Sequence, residues 1–503
     1  MPFSRSSGIL LHPTSLPSRF GIGDLGPEAF SFVDFLSASG QSLWQVLPLG
    51  PTGYGDSPYM CFSAMAGNPL LISLEVLRDK ALLSDEDLNS LAPYPNTIDY
   101  GRVISEKFPL LKKAWRNFQT LGSPEQQVAY TQFCESNADW LEDFSLFMAL
   151  KEHYHGKPWT KWNLSLVKRK RDAIKKAKIK YAKFMDFHCF LQFEFQQQIG
   201  ALRQYANQKK ISIIGDLPIY VAHDSAEVWA TPEYFDINKD TGVLYTVAGV
   251  PPDYFSATGQ LWGNPIYNWE QLKNDKFEWW IQRFIVLLGY VDAVRIDHFR
   301  GFEAYWSVKF GEETAINGEW IKAPGEALFN RLYERFGYLP IIAEDLGVIT
   351  PEVEQLRDNF NLPGMKILQF AFSTDDENPY LPPNYTDNCV VYTGTHDNDT
   401  TKGWFESLTA EEKARVLKYL KSDKPENIHW DLINLAYSSV AKMAIVPLQD
   451  ILGLPGTARM NTPSKKDRNW TWRFDLQMLT EEVLNKLKAL TVESARTVNP
   501  DRK

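Results

Sequence analysis

Eight short apolar runs of strand character recur along this 503-residue chain, at 8–12, 43–49, 211–221, 291–299, 341–346, 365–372, 389–395 and 441–448. Helical patterns separate several of them. In 27–39, Ala29, Phe32, Val33 and Leu36 fall at i, i+3, i+4 and i+7 behind Pro27, and Gly40 ends the pattern. Such alternation points to an α/β architecture, because parallel strands need long crossovers and helices supply them. If the strands close into a barrel, their C-terminal ends converge on one face and bring together residues distant in sequence.

Three of the runs lead straight into a carboxylate: Arg295-Ile296-Asp297-His298-Phe299, Glu344-Asp345-Leu346-Gly347 and His396-Asp397-Asn398. Three acids on one barrel face suggest carbohydrate chemistry. Cleaving a glycosidic bond with retention needs a carboxylate nucleophile and a protonated carboxyl group about 5 Å apart, on opposite sides of the anomeric carbon. Asp297 is the candidate nucleophile, since Arg295 lies two residues away on the same strand face and favours the ionised form. Glu344 follows Ile341, Ile342 and Ala343, an apolar setting that raises a carboxyl pKa and keeps a proton for the leaving oxygen. Asp397 is the third acid, suited to binding ring hydroxyls of the distorted sugar, and its neighbour His396 can hydrogen-bond a hydroxyl or a carboxylate. Asp216, after Ile211 to Gly215 in the third run, is a fourth and weaker candidate.

The gap from 50 to 210 is far longer than a strand-to-helix loop. It carries helical punctuation of its own, a capping-box start at Ser123, Pro124 and Gln126, then Trp140, Phe144, Phe147 and Met148 at helix spacing. The expectation is one barrel domain over 1–503, with a mostly helical insertion at 50–210 and a second insertion at 222–290. The basic stretches Lys168-Arg169-Lys170-Arg171 and Lys175-Lys176-Ala177-Lys178 read as a solvated helix face. After the eighth run, one short helix at 480–490 leaves no room for an appended β-sandwich.

A formal net charge of -9 gives no electrostatic footprint for nucleic acid and suits a neutral partner. Nothing approaches the roughly 20 apolar residues of a membrane helix, and the N-terminus lacks a signal-peptide pattern. Cys61, Cys134, Cys189 and Cys389 are scattered without metal-ligand spacing, which suggests buried thiols in a reducing, cytoplasmic compartment.

Aromatic residues make up 14% of the chain, and sugar rings stack their C–H faces on aromatic planes. Most must be core. Two clusters read instead as binding loops, because Gly and Pro punctuate them: Tyr54, Asp56, Ser57, Pro58 and Tyr59, and then Asp253, Tyr254, Phe255, Gln260, Leu261 and Trp262.

With these segments in view, the chain resembles the 4-alpha-glucanotransferases of the amylomaltase, or disproportionating enzyme, family over nearly its whole length. The stretches carrying the resemblance are Gly8-Ile9-Leu10-Leu11-His12-Pro13-Thr14-Ser15-Leu16-Pro17, Gly53-Tyr54-Gly55-Asp56-Ser57-Pro58-Tyr59, Gly249-Val250-Pro251-Pro252-Asp253-Tyr254-Phe255, Leu261-Trp262-Gly263-Asn264-Pro265 and Arg295-Ile296-Asp297-His298-Phe299-Arg300-Gly301. The resemblance implies an alpha-amylase-type (β/α)8 TIM barrel with insertions at its C-terminal face and no C-terminal β-domain. It implies Asp297 as nucleophile, Glu344 as acid/base and Asp397 as transition-state stabiliser. Arg295, His298, His396 and Asp216 follow as sugar-binding or orienting residues, Tyr59, Asp253, Tyr254, Phe255 and Trp262 as glucan-binding positions, and Tyr54 as a secondary glucan site. Met60-Cys61 departs from the polar or small pair expected after Tyr59.

The implied reaction moves an α-1,4-glucan segment to the 4-hydroxyl of another glucan or of glucose, with no metal or organic cofactor. An α-1,4-glucan hydrolase would use the same three acids. A metallohydrolase built on Asp297, His298, Glu344, Asp345, His396 and Asp397 is a rival from another class, although strand alternation alone turns His298 and Asp345 away from Asp297 and Glu344. A non-catalytic glucan-binding protein is a further alternative.

Overall fold

The computed structural model describes residues 3–252, 256–463, 465 and 468–497, apart from the side chain of Tyr54. The expected sites Asp253, Tyr254, Phe255 and the Tyr54 ring therefore lie outside the described residues. Twelve strands run through the described residues: β1 (Ser6–Leu10), β2 (Leu43–Gln45), β3 (Ser212–Pro218), β4 (Thr246–Val250), β5 (Gln260–Pro265), β6 (Ala293–Asp297), β7 (Ala304–Lys309), β8 (Gly318–Lys322), β9 (Ile341–Ala343), β10 (Gly364–Ile367), β11 (Cys389–Tyr392) and β12 (Met443–Pro447).

Eight of them, each lying within one of the eight apolar runs or overlapping it, pair in parallel in the order β10-β11-β12-β1-β2-β3-β6-β9. The Ala343 amide donates to the Pro363 carbonyl at 2.9 Å and closes the ring between β9 and the start of β10. The result is a (β/α)8 barrel. Alternation sorts its side chains: Leu10, Leu43, Ile214, Ala293, Ile342, Val390, Met443 and Ile445 cluster inside, while Ile9, Trp44, Ile213, Val294, Ile341, Val391 and Ala444 face the surrounding helices. By the same alternation Asp216 shares the inward face of β3 with Ile214. Arg295 and Asp297 share that of β6 with Ala293.

The helix Pro27–Ala38 buries Ala29, Phe32, Val33 and Leu36 as its spacing requires, and Gly40 takes the left-handed φ of +77° that ends such a pattern. Between β2 and β3 the chain is helical, including Tyr100–Leu121, Pro124–Ser136, Ala138–His153 and the 38-residue helix Arg171–Gln208. Ser123 and Gln126 form the capping box. Part of the basic stretch is ion-paired, Lys168 to Asp240, Arg169 to Asp143 and Lys178 to Glu142. Beyond β12 the described residues form the short helix Leu448–Ile451, two 3-10 turns and the helix Glu481–Glu493.

One feature departs from the sequence reading. β5, β4, β7 and β8 form an antiparallel four-stranded sheet beside the barrel mouth. Gln260, Leu261 and Trp262, read as loop, lie on β5. Gly249, Pro251 and Gly263 hid β4 and β5 by giving the segment loop-like punctuation. The cysteines also differ from expectation: all four are free, but only Cys389 is fully buried and the others are partly exposed.

Candidate active site

A groove of about 690 Å³ opens at the C-terminal ends of the barrel strands, lined by Asp297, Glu344 and Asp397 together with Tyr59, Trp262, Arg295, His298 and His396. Three acids more than 40 residues apart in sequence thus share one cavity. Asp216 lies beneath its floor, almost wholly buried.

The buried Arg295 organises the floor. Its Nη1 lies 2.7 Å from Asp216 Oδ2 and 3.0 Å from Asp297 Oδ1. Burial opposes a charge on Arg295, but Asp216 and Asp297 outweigh it and hold the guanidinium charged. The Tyr59 hydroxyl donates to the same Asp216 oxygen at 2.9 Å. Burial raises Asp216 to about 7, with Arg295 pulling the other way and Asp297 pushing further up. Tyr59 is a packed residue, its ring stacked on His396 at 5.1 Å between centroids and tilted against Trp470 at 5.9 Å.

Glu344 follows β9, and both its oxygens are held by backbone. The His298 amide donates to Oε2 at 2.6 Å and the Leu346 amide to Oε1 at 2.9 Å. Those bonds and Arg295 favour the carboxylate, but burial is the larger effect and Asp297 adds to it, so the carboxyl is raised to about 7. A group poised there can both give and take a proton near neutrality.

His298 sits just past the end of β6 with φ +53°, in the left-handed region. That turn removes it from strand alternation, which explains why it lines the groove although alternation alone would turn it away. Its ring meets Trp262 edge-on at 4.8 Å, and burial lowers its pKa to about 4, so it is a neutral imidazole. Among the described residues neither His298 Nε2 nor Asp216 Oδ1 has a hydrogen-bond partner. Asp345 turns away as alternation requires, pairing with Arg357 at 2.5 Å and accepting from the Met365 amide at 2.7 Å.

Asp397 lies five residues past β11 in a tight turn, where Thr395 Oγ1 donates to Asn398 Oδ1 at 2.9 Å and accepts from the Asp397 amide at 3.3 Å. A Cβ at Gly394 would lie 2.7 Å from Gln369 Nε2, so any larger residue there would displace the amide that donates to the Asp399 carbonyl. Asp397 Oδ1 accepts from Asn461 Nδ2 at 2.6 Å and lies 3.3 Å from His396 Nε2. Arg459 donates to its carbonyl. Burial lowers the pKa of His396.

Asn461, Trp470, Trp320 and Phe370 also line the groove. Sequence reasoning missed them. Asn461 and Trp470 belong to the irregular segment after β12, which has no periodicity to flag it, and Trp320 belongs to the unforeseen antiparallel sheet. Among the described residues no three His, Cys, Asp or Glu side chains gather to hold a metal ion.

Comparison with known proteins gives a consistent result. Residues 11–479 match a family model described as 4-alpha-glucanotransferase. The 4-alpha-glucanotransferase of Synechocystis sp. is 54% identical over 97% of this chain and 97% of its own length. That of Thermus thermophilus is 50% identical over 99% of this chain and 100% of its own. The solved structure of an amylomaltase from Streptococcus agalactiae in complex with acarbose superposes with a TM-score of 0.95 at 41% identity, covering 98% of this chain and 100% of that one.

Proposed function

The chain belongs to the 4-alpha-glucanotransferase family, and from that premise we propose that Asp297, Glu344 and Asp397 transfer segments of α-1,4-glucans by a retaining double displacement. Glu344 protonates the glycosidic oxygen while Asp297 attacks the anomeric carbon, giving a glycosyl ester and a released glucan end. Glu344, now ionised, takes the proton from the 4-hydroxyl of an acceptor glucan or glucose, which attacks and frees Asp297. Asp397 binds ring hydroxyls of the distorted sugar, held for that task by Asn461. The observation carrying this reading is the contrast between Asp297, ion-paired to Arg295, and Glu344, buried with its pKa raised to about 7.

Tyr59, Trp262, His298, His396 and Arg295 surround the reacting sugar in this reading, with Asp216 holding Arg295 and Tyr59 in place. Asp253, Tyr254, Phe255 and Tyr54 contribute glucan contacts by resemblance alone. The acarbose bound to the Streptococcus agalactiae amylomaltase supports a groove that takes maltooligosaccharide-like chains. An α-1,4-glucan hydrolase would use the same acids, but the related proteins are named for transfer.

We read 50–210 and 222–290 as insertions of a single barrel domain, since one apolar cluster runs from Phe118 and Phe147 through Leu202 to Val294. The four free thiols favour a cytoplasmic location, and among the described residues no helix is long and apolar enough to cross a membrane.

A maltosyl fluoride experiment tests the roles. Fluoride leaves with little protonation, so Glu344→Gln should form the ester but not resolve it. Intact mass should show a maltosyl adduct on that variant, and peptide mapping should put it on Asp297. An adduct elsewhere, or none, overturns the assignment.

A further inference from the structure

Trp320 lies on β8, outside every segment that carried the family resemblance. It lines the groove and remains 39% exposed, so part of the indole is open to a molecule bound there. The ring is also held in place. It faces Trp306 across the β7–β8 pair, with centroids 5.2 Å apart. The Arg300 guanidinium lies over it at 3.8 Å, and Arg300 in turn donates to the carbonyl of Val348, four residues beyond Glu344. Trp320 is thus fixed to the loop that carries the acid/base group. In a retaining enzyme that group stands on the side of the leaving and incoming chains, opposite the nucleophile.

We propose that Trp320 is a stacking platform for a glucosyl ring of the acceptor glucan, at a position beyond the one next to Glu344. The proposal rests on the Asp297 and Glu344 roles above and adds a binding site to them. A flat indole immobilised by Arg300 and Trp306 loses little conformational freedom when a sugar face lies on it, which is the property a polysaccharide platform needs. Its place on the antiparallel sheet, held there by Arg300 and Trp306, sets it apart from the barrel strand ends that carry Asp297 and Glu344. Its effect should therefore depend on acceptor length.

The experiment uses the full chain, maltosyl fluoride as donor and either glucose or maltotetraose as acceptor. Trp320→Ala should raise the KM for maltotetraose about tenfold, the loss of one ring-stacking contact. The KM for glucose, and the release of fluoride without acceptor, should change by less than about twofold. Trp320→Phe should recover most of the maltotetraose affinity. Trp320→Leu, which keeps apolar bulk beside Arg300 but offers no flat ring, should share the alanine defect and serves if the alanine variant folds poorly. An unchanged maltotetraose KM, or an equal rise for glucose and maltotetraose, overturns the proposal. Adduct mapping on the Glu344→Gln protein separates this outcome from failure of the underlying roles. An adduct on Asp297 with an unaltered acceptor profile removes only the Trp320 platform, whereas an adduct elsewhere removes the roles themselves.

Discussion

The backbone amide of His298 donates to Glu344 Oε2 at 2.6 Å, so the residue following the nucleophile candidate holds the acid/base candidate. The bond exists because His298 takes a left-handed φ at the exit of β6. It ties two adjacent strand ends, and with them the two candidate acids, into one unit.

Asp297→Asn and Glu344→Gln should each lower the turnover of maltotriose by at least ~100-fold, because each removes a group used in the chemical steps. Far-ultraviolet circular dichroism should be unaltered. Turnover within about tenfold of the parent for either variant would show that the group is dispensable.

Activity on unactivated glucans should fall as pH rises above about 7, where Glu344 loses the proton that its proposed role gives to the leaving oxygen. Asp216 is raised to the same region, so the observed value belongs to the coupled acids. Ester formation by Glu344→Gln from maltosyl fluoride should lose this alkaline limb. If the limb persists, Asp216 and not Glu344 is its source.

The same shift has a stability consequence with a definite sign. Glu344 is raised from an ordinary 4.5 to about 7, so between those values the folded state binds more protons than the unfolded one and stability falls as pH rises. The cost is absent below 4.5 and complete above 7. Glu344→Gln should therefore raise the Tm relative to the parent more at pH 8 than at pH 5. Equal differences at the two pH values would mean that the carboxyl is not strained by burial.

Asn461→Ala should reduce turnover about tenfold while barely moving the Tm, since it removes the 2.6 Å bond that holds a half-exposed Asp397. Tyr59→Ala should weaken glucan binding more than stability by deleting a ring stacked on His396. A maltotriose rate assay checks the first, calorimetric titration with maltoheptaose checks the second, and thermal melts accompany both. A large loss of Tm with unchanged affinity would make Tyr59 a core residue.

Much of this was legible in the sequence, for identifiable reasons. The strands of the barrel are buried on both faces, so they read as apolar runs, and acids at their ends stand out by contrast. Arg295 and Asp297 share a face simply because strand side chains alternate. Three things were hidden. β4 and β5 are interrupted by Gly249 and Gly263 and β8 is largely exposed, so their period was masked, and β7 is only six residues long. Asn461 and Trp470 come from irregular chain, where only tertiary contacts assign a role. His298 escaped alternation because one left-handed residue ended the strand, which no periodicity announces.

In the proposed mechanism the glycosyl ester on Asp297 is resolved by a sugar hydroxyl and not by water. Bound glucan on the groove's aromatic walls would exclude solvent and hold its 4-hydroxyl near Glu344, whereas water has no such handle. The direct measurement is incubation with pure maltotriose, followed by chromatography and a reducing-end assay on the same sample. Glucose should appear together with a ladder of longer maltooligosaccharides while total reducing ends stay nearly constant, because each transfer breaks one α-1,4 bond and makes another. Reducing ends rising in step with glucose, with nothing longer than the trisaccharide, would rule out transfer and establish hydrolysis.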